Sequence, residues 1–234
     1  MNTDAPLPAS RPTWRGLLVP GRSVRYGAGV LLTAGGYYAF AKGGEALLLT
    51  GPAGAFWPAT GLGIAVLYLG GLRWWPGVLL GELLSRPFAQ IGLGPAVAEA
   101  SANTARALVA VLILQRLVGR RAAMDRLEQV GAVFVAIAVG EALSATVAML
   151  ALRAGGVIEV SEMGVFWRSW WLGGVAGGLV VVPLALAWAR ARGSAWRERR
   201  AGEGALMLAA VAGLSAIALS ADQPLTYIVF PAFI

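Results

Sequence analysis

The chain has 234 residues, of which 58% are hydrophobic and only 13% are charged, and it carries a net charge of +7. Soluble domains have about a quarter charged residues, and a fold of this length cannot hide so much apolar surface from water, which excludes a soluble globular domain. Because the sequence also contains neither cysteine nor histidine, it excludes disulfides, histidine-based catalysis and the usual zinc sites.

Apolar stretches long enough to enter a bilayer follow one another along the chain. A helix crosses the hydrocarbon core with about 20 apolar residues, and the sequence predicts an all-α polytopic bundle of about eight spans. The approximate spans are 26–41, 56–71, 75–93, 96–117, 129–152, 164–189, 204–221 and a last one from 225. Because the chain stops at Ile234 within an apolar run, we expect the last span to be truncated and the protein to be longer.

Basic residues are concentrated in every second predicted loop, and this pattern predicts the orientation of the chain in the membrane. One set of loops carries Arg11, Arg15, Arg22, Arg25, Arg73, Arg116, Arg120, Arg121, Arg126, Arg190, Arg192, Arg197, Arg199 and Arg200. The other set carries only Lys42 and Arg153. The positive-inside rule therefore places residues 1–25 in the cytoplasm.

An alternative for the first span is a cleaved signal peptide, because Ala39-Phe40-Ala41 has the A-x-A form.

Six charged residues fall inside the predicted spans, where each costs about 2.5–3.5 kcal/mol on insertion scales. They are Glu82, Arg86, Glu99, Arg106, Glu141 and Arg168. Glu82 and Arg86 are four residues apart on one helix face, and three acids with three bases are able to neutralise one another. These residues predict either a polar ligand pocket or a set of structural ion pairs. The candidate ligand-binding residues are Trp57, Glu82, Arg86, Glu99, Asn103, Arg106, Glu141 and Trp171.

Several segments together resemble the MASE1 domain, a bacterial membrane-associated sensor module with eight predicted helices. The segments are Phe56-Trp57-Pro58-Ala59-Thr60-Gly61, Trp75-Pro76-Gly77-Val78-Leu79-Leu80-Gly81, Asn103-Thr104, Gln115-Arg116-Leu117, Trp170-Trp171-Leu172-Gly173, Val182-Pro183-Leu184 and Tyr227-Ile228-Val229-Phe230-Pro231. The resemblance covers residues 26–234. Two departures occur: relatives often have an acid where this chain has Gly174, and N-T-L-E where Ala105 and Arg106 follow Thr104. If those acids bind a ligand in relatives, this chain has either lost that function or moved it to Glu99 or Glu141.

The resemblance implies a sensory input domain in the bacterial inner membrane. Its partners would be the lipid bilayer and a fused cytoplasmic module, a histidine kinase or a cyclic-di-GMP enzyme, and a homodimer is left open. The same intramembrane charges would also suit a small-solute transporter, which is the alternative function. The sequence shows no nucleophile–base pair, phosphate-binding loop or metal-ligand cluster. We therefore predict no catalytic residue, metal, cofactor or nucleic-acid partner in this chain.

Overall fold

A computed structural model describes residues 22–46, 56–86, 88–119 and 126–191, and these residues form helices and turns without a strand. The helices are α1 (Arg22–Ala46), α2 (Pro58–Gly70), α3 (Trp75–Ser85), α4 (Phe88–Ile91), α5 (Leu93–Leu117), α6 (Leu127–Ala154) and α7 (Met163–Ala191). Short 3₁₀ helices at Leu72–Trp74 and Val160–Glu162 precede α3 and α7. The all-α prediction is confirmed for this part of the chain.

Three of the described helices are long and apolar enough to cross a bilayer: Leu93–Leu117, Leu127–Ala154 and Val160–Ala189. They correspond to the predicted fourth, fifth and sixth spans. Helices α2 and α3 have 13 and 11 residues, or about 20 and 17 Å at 1.5 Å per residue, which is less than a bilayer core of about 30 Å. The predicted spans 204–221 and from 225 lie outside the described residues. The number of eight spans and the orientation stay predictions.

The predicted third span, 75–93, is wrong as one continuous helix. Helix α3 ends at Ser85, Arg86 is extended (φ −81°, ψ 138°), and a separate short helix begins at Phe88. Arg86 precedes Pro87, and the proline ring disfavours the helical conformation of the residue before it. This break lies at the end of α3, and the side chain of Arg86 there reaches the neighbouring helix α5.

Glycines bring the helix backbones into close contact. Helix α5 packs along α6, α1 packs along α3, and α2 contacts both α1 and α5. A Cβ atom on Gly77, Gly81 or Gly140 would lie only 2.7–2.9 Å from a carbonyl oxygen of the facing helix. Small residues permit such approach in membrane bundles. The polar side chains between these helices therefore meet each other directly.

Candidate functional site

Five charged side chains are buried together among α1, α3, α5 and α6. They are Glu82, Arg86, Glu99, Arg106 and Glu141, and none of these side chains is more than 10% exposed. Arg106 and Glu141 lie near the middle of α5 and α6, whereas Glu99 lies in the second turn of α5. We call these five residues the ion-pair network. All of them lie in the compact unit that ends at Leu186.

Arg106 joins the two halves of the network. Its Nη1 atom lies 3.0 Å from Oε1 of Glu141 and donates a hydrogen bond of 3.3 Å to Oε2. Its Nη2 atom donates to the hydroxyl of Tyr37 at 3.1 Å and lies 3.8 Å from Oε1 of Glu82. The Tyr37 hydroxyl in turn donates to Glu82. One guanidinium group therefore connects α5 to α6 directly and to α1 and α3 through Tyr37 and Glu82.

Arg86 extends the network toward the start of α5. Its Nη2 and Nε atoms donate to Oε2 of Glu82 at 2.6 and 3.1 Å. Its Nη1 atom donates to Oε2 of Glu99 at 2.9 Å. The guanidinium carbon also lies 5.7 Å from the ring centre of Trp170, within cation–π range. Arg86 therefore bridges two carboxylates that come from different helices.

A second polar cluster adjoins the ion-pair network and reaches α7. Ser144 donates a hydrogen bond to Oδ1 of Asn103. The Ser144 hydroxyl accepts a hydrogen bond of 3.2 Å from Nε1 of Trp170. The amide nitrogen of Asn103 is buried and has no hydrogen-bond partner among the described residues. This cluster ties α5, α6 and α7 together.

The carboxyl group of Glu141 fills the space that a side chain at position 174 would need. A Cβ atom on Gly174 would overlap the Cδ atom and both carboxylate oxygens of Glu141. On the α2 side, the Thr60 hydroxyl lies beside this carboxylate but makes no hydrogen bond of normal geometry. Glu141 is thus enclosed by α2, α5 and α7, and its side chain is fully buried.

The structure brings five of the eight candidate residues into the ion-pair network and places Asn103 next to it. The two tryptophans lie elsewhere and hold α7 in place. The backbone N–H of Trp57 donates to the carbonyl of Gly173 at 2.9 Å. Nε1 of Trp171 donates to the carbonyl of Ala138 at 3.0 Å. The partners in both hydrogen bonds are backbone carbonyl groups and not charged members of the network.

The prediction that three acids and three bases neutralise one another is wrong, because Arg168 does not take part. This residue is exposed, and its Nε atom donates to the carbonyl of Gly164 at 3.2 Å. It pairs with no carboxylate in the described part of the chain. Arg168 shares a helix face with Gly164 and Leu172, both of which are also exposed. The network therefore contains three acids and only two bases.

Four polar contributors to the site were not predicted: Tyr37, Thr60, Ser144 and Trp170. Tyr37 is 1% exposed and occupies the middle of α1, where a tyrosine within an apolar stretch is the signal. Ser144 follows Glu141 by three residues, so that both lie on one face of α6. Thr60 and Trp170 both lie in segments that carry the family resemblance, and this is the signal that could have found them.

The family comparison agrees with the sequence resemblance. A family model for MASE1 matches residues 30–233. No match was found among curated proteins or among solved structures. The matched range contains every residue of the ion-pair network.

Proposed function

The chain belongs to the MASE1 family, whose members are membrane-associated sensory input domains of signalling proteins, and from this premise we propose how it senses and signals. The family is a sensory one, not a catalytic one. The chain is an input domain with about eight spans in the bacterial inner membrane and with residues 1–25 in the cytoplasm. It signals to a cytoplasmic effector fused after residue 234, a histidine kinase or a cyclic-di-GMP enzyme.

The observation that carries this proposal is the family match over residues 30–233. The ion-pair network supports it further, because its members come from three packed helices, α3, α5 and α6, and share contacts. A sensor needs two helix packings of similar free energy and a stimulus that prefers one of them. In an apolar interior, a change of one charge strongly alters electrostatic energies. The network is therefore our candidate for the element that the stimulus biases.

Glu141 takes the place of the acid that relatives often carry at the position of Gly174. The overlap between its carboxyl group and a Cβ atom at position 174 supports this exchange. In this proposal the acid of α7 has been replaced by an acid of α6 at almost the same point in space. Glu99, the other residue considered for this role, instead pairs with Arg86 at the network's opposite end.

The proposed fusion is tested by reading the coding sequence past the codon for Ile234. We expect it to continue through a helical linker into a kinase or cyclic-di-GMP module, which would identify the output. A stop codon soon after the last span would contradict the proposed fused effector. The family match gives no support to the transporter alternative, and solute uptake would be measured only in that second case.

The proposed orientation is tested separately with reporter fusions. A reporter active only in the cytoplasm should work when inserted at residues 120–125 and fail when inserted at residues 156–158. The opposite pattern would show that the chain enters the membrane with its N-terminus outside.

A further inference from the structure

Among the described residues, the ion-pair network has one more acid than base. Its carboxylates come from Glu82, Glu99 and Glu141, whereas its guanidinium groups come only from Arg86 and Arg106. Fully ionised, the network would therefore hold one net negative charge in an apolar interior. An uncompensated buried charge is so costly that the group usually binds a proton and becomes neutral.

Glu141 is the least satisfied of the three carboxylates. Each oxygen of Glu82 accepts a hydrogen bond, one from Tyr37 and one from Arg86. Glu99 accepts a hydrogen bond of 2.9 Å from Arg86. Glu141 receives one long hydrogen bond of 3.3 Å at Oε2, and its Oε1 atom lies 3.0 Å from Nη1 of Arg106 without a hydrogen bond of normal geometry in the described part of the chain. An added proton is therefore best placed on Glu141.

Thr60 offers an acceptor at the right place. Its hydroxyl is fully buried, lies beside the Glu141 carboxylate and lacks a hydrogen-bond partner among the described residues. Bound to Glu141, a proton would remove the excess charge from the apolar interior. The protonated carboxyl group would then be able to donate a hydrogen bond to the Thr60 hydroxyl beside it.

We propose that Glu141 is a proton-binding site within the membrane-spanning part of the chain and that Thr60 accepts the hydrogen bond of the bound proton. The charged group that faces Glu141 directly is Arg106 of α5, and behind it lie Glu82 of α3 and Tyr37 of α1. Helices α2 and α7 present only uncharged residues to it, including Thr60. The proton gives the proposed sensor a ligand, and only this signalling role rests on the proposed function.

Infrared spectroscopy detects the proton without any need for signalling. The full-length protein in lipid nanodiscs should show, at neutral pH, the carbonyl band of a protonated carboxylic acid that shifts in heavy water. Glu141→Gln should abolish this band, Thr60→Val should move it to higher frequency, and the control Glu128→Gln, at an exposed position in the first turn of α6, should leave it unchanged. A wild-type protein without the band, or a band that persists in Glu141→Gln, would overturn the assignment.

Stability gives a second and independent test. Glutamine resembles a protonated glutamate, so Glu141→Gln should unfold at neutral pH with nearly the wild-type equilibrium constant. A folded state that holds one more proton than the unfolded state loses stability as the pH rises, with a change of up to about tenfold per pH unit in the unfolding equilibrium constant. Wild type should show this dependence relative to Glu141→Gln. Equal pH dependence of the two proteins, or failure of Glu141→Gln to fold at neutral pH, would refute proton binding.

Discussion

Replacing Gly174 with alanine is expected to disturb the site through a single methyl group. The added carbon would overlap the Glu141 carboxyl group, which Arg106 holds from the other side. Overpacking of this kind costs about 1–3 kcal/mol, whereas alanine is favoured over glycine within a helix by about 0.5–1 kcal/mol. We expect Gly174→Ala to lower the free energy of unfolding by about 1–2 kcal/mol.

The matched control is Gly131→Ala in α6, because a Cβ atom there would have no neighbour within 4 Å. In this variant only the preference of alanine over glycine within a helix applies, so its free energy of unfolding should rise by about 0.5–1 kcal/mol. Unfolding of purified proteins by denaturing detergent in bicelles measures both variants. In a double-mutant cycle with Glu141→Ala, the cost of Gly174→Ala should largely disappear, since contacting residues couple by about 0.5–3 kcal/mol. Equal stability of Gly174→Ala and Gly131→Ala would refute the proposed contact.

Three further substitutions are assayed by the same unfolding measurement. Arg106→Met should cost about 3–5 kcal/mol, because it removes the buried guanidinium group that Glu82 and Glu141 share; a cost below about 1 kcal/mol would show that the ion pairs are not formed. Tyr37→Phe should cost about 1–3 kcal/mol, since it removes a buried hydroxyl that donates to Glu82 and accepts from Arg106; unchanged stability would contradict this link. Arg168→Ala should stay within about 0.5 kcal/mol of wild type, and a larger loss would indicate a partner for this exposed arginine.

The sequence predicted the members of the ion-pair network better than it predicted their partners. Charged residues in apolar stretches stand out because lipid gives them no solvation, so that five of the six gathered as expected. Arg168 differs because its exposure depends on how α7 is rotated against its neighbours. Tyr37 was missed for a related reason: its role depends on the register between α1 and α3, which no local pattern encodes.

Local chemistry explains the other difference between the predicted and the observed helices. Hydropathy merges residues 75–93 into one apolar stretch, but the Arg86-Pro87 step ends α3. An average over a window of residues cannot detect such a step, although the proline itself is visible in the sequence. The break also changes the site, because Arg86 contacts both Glu82 and Glu99 from the end of its helix.

The central claim, that the ion-pair network controls the output of a membrane sensor, is tested most directly by the activity of the full-length protein in native membranes. Wild type, Tyr37→Phe and the control Arg168→Ala should be compared at equal abundance. The assay is phosphorylation or cyclic-di-GMP synthesis, according to the fused module. Coupling of 1–3 kcal/mol between two sites changes an equilibrium constant by about 5–150-fold. We therefore expect Tyr37→Phe to change the resting output by at least about fivefold. Arg168→Ala should leave the resting output unchanged. Wild-type output from a folded Tyr37→Phe protein would contradict the account and leave the network a purely structural role.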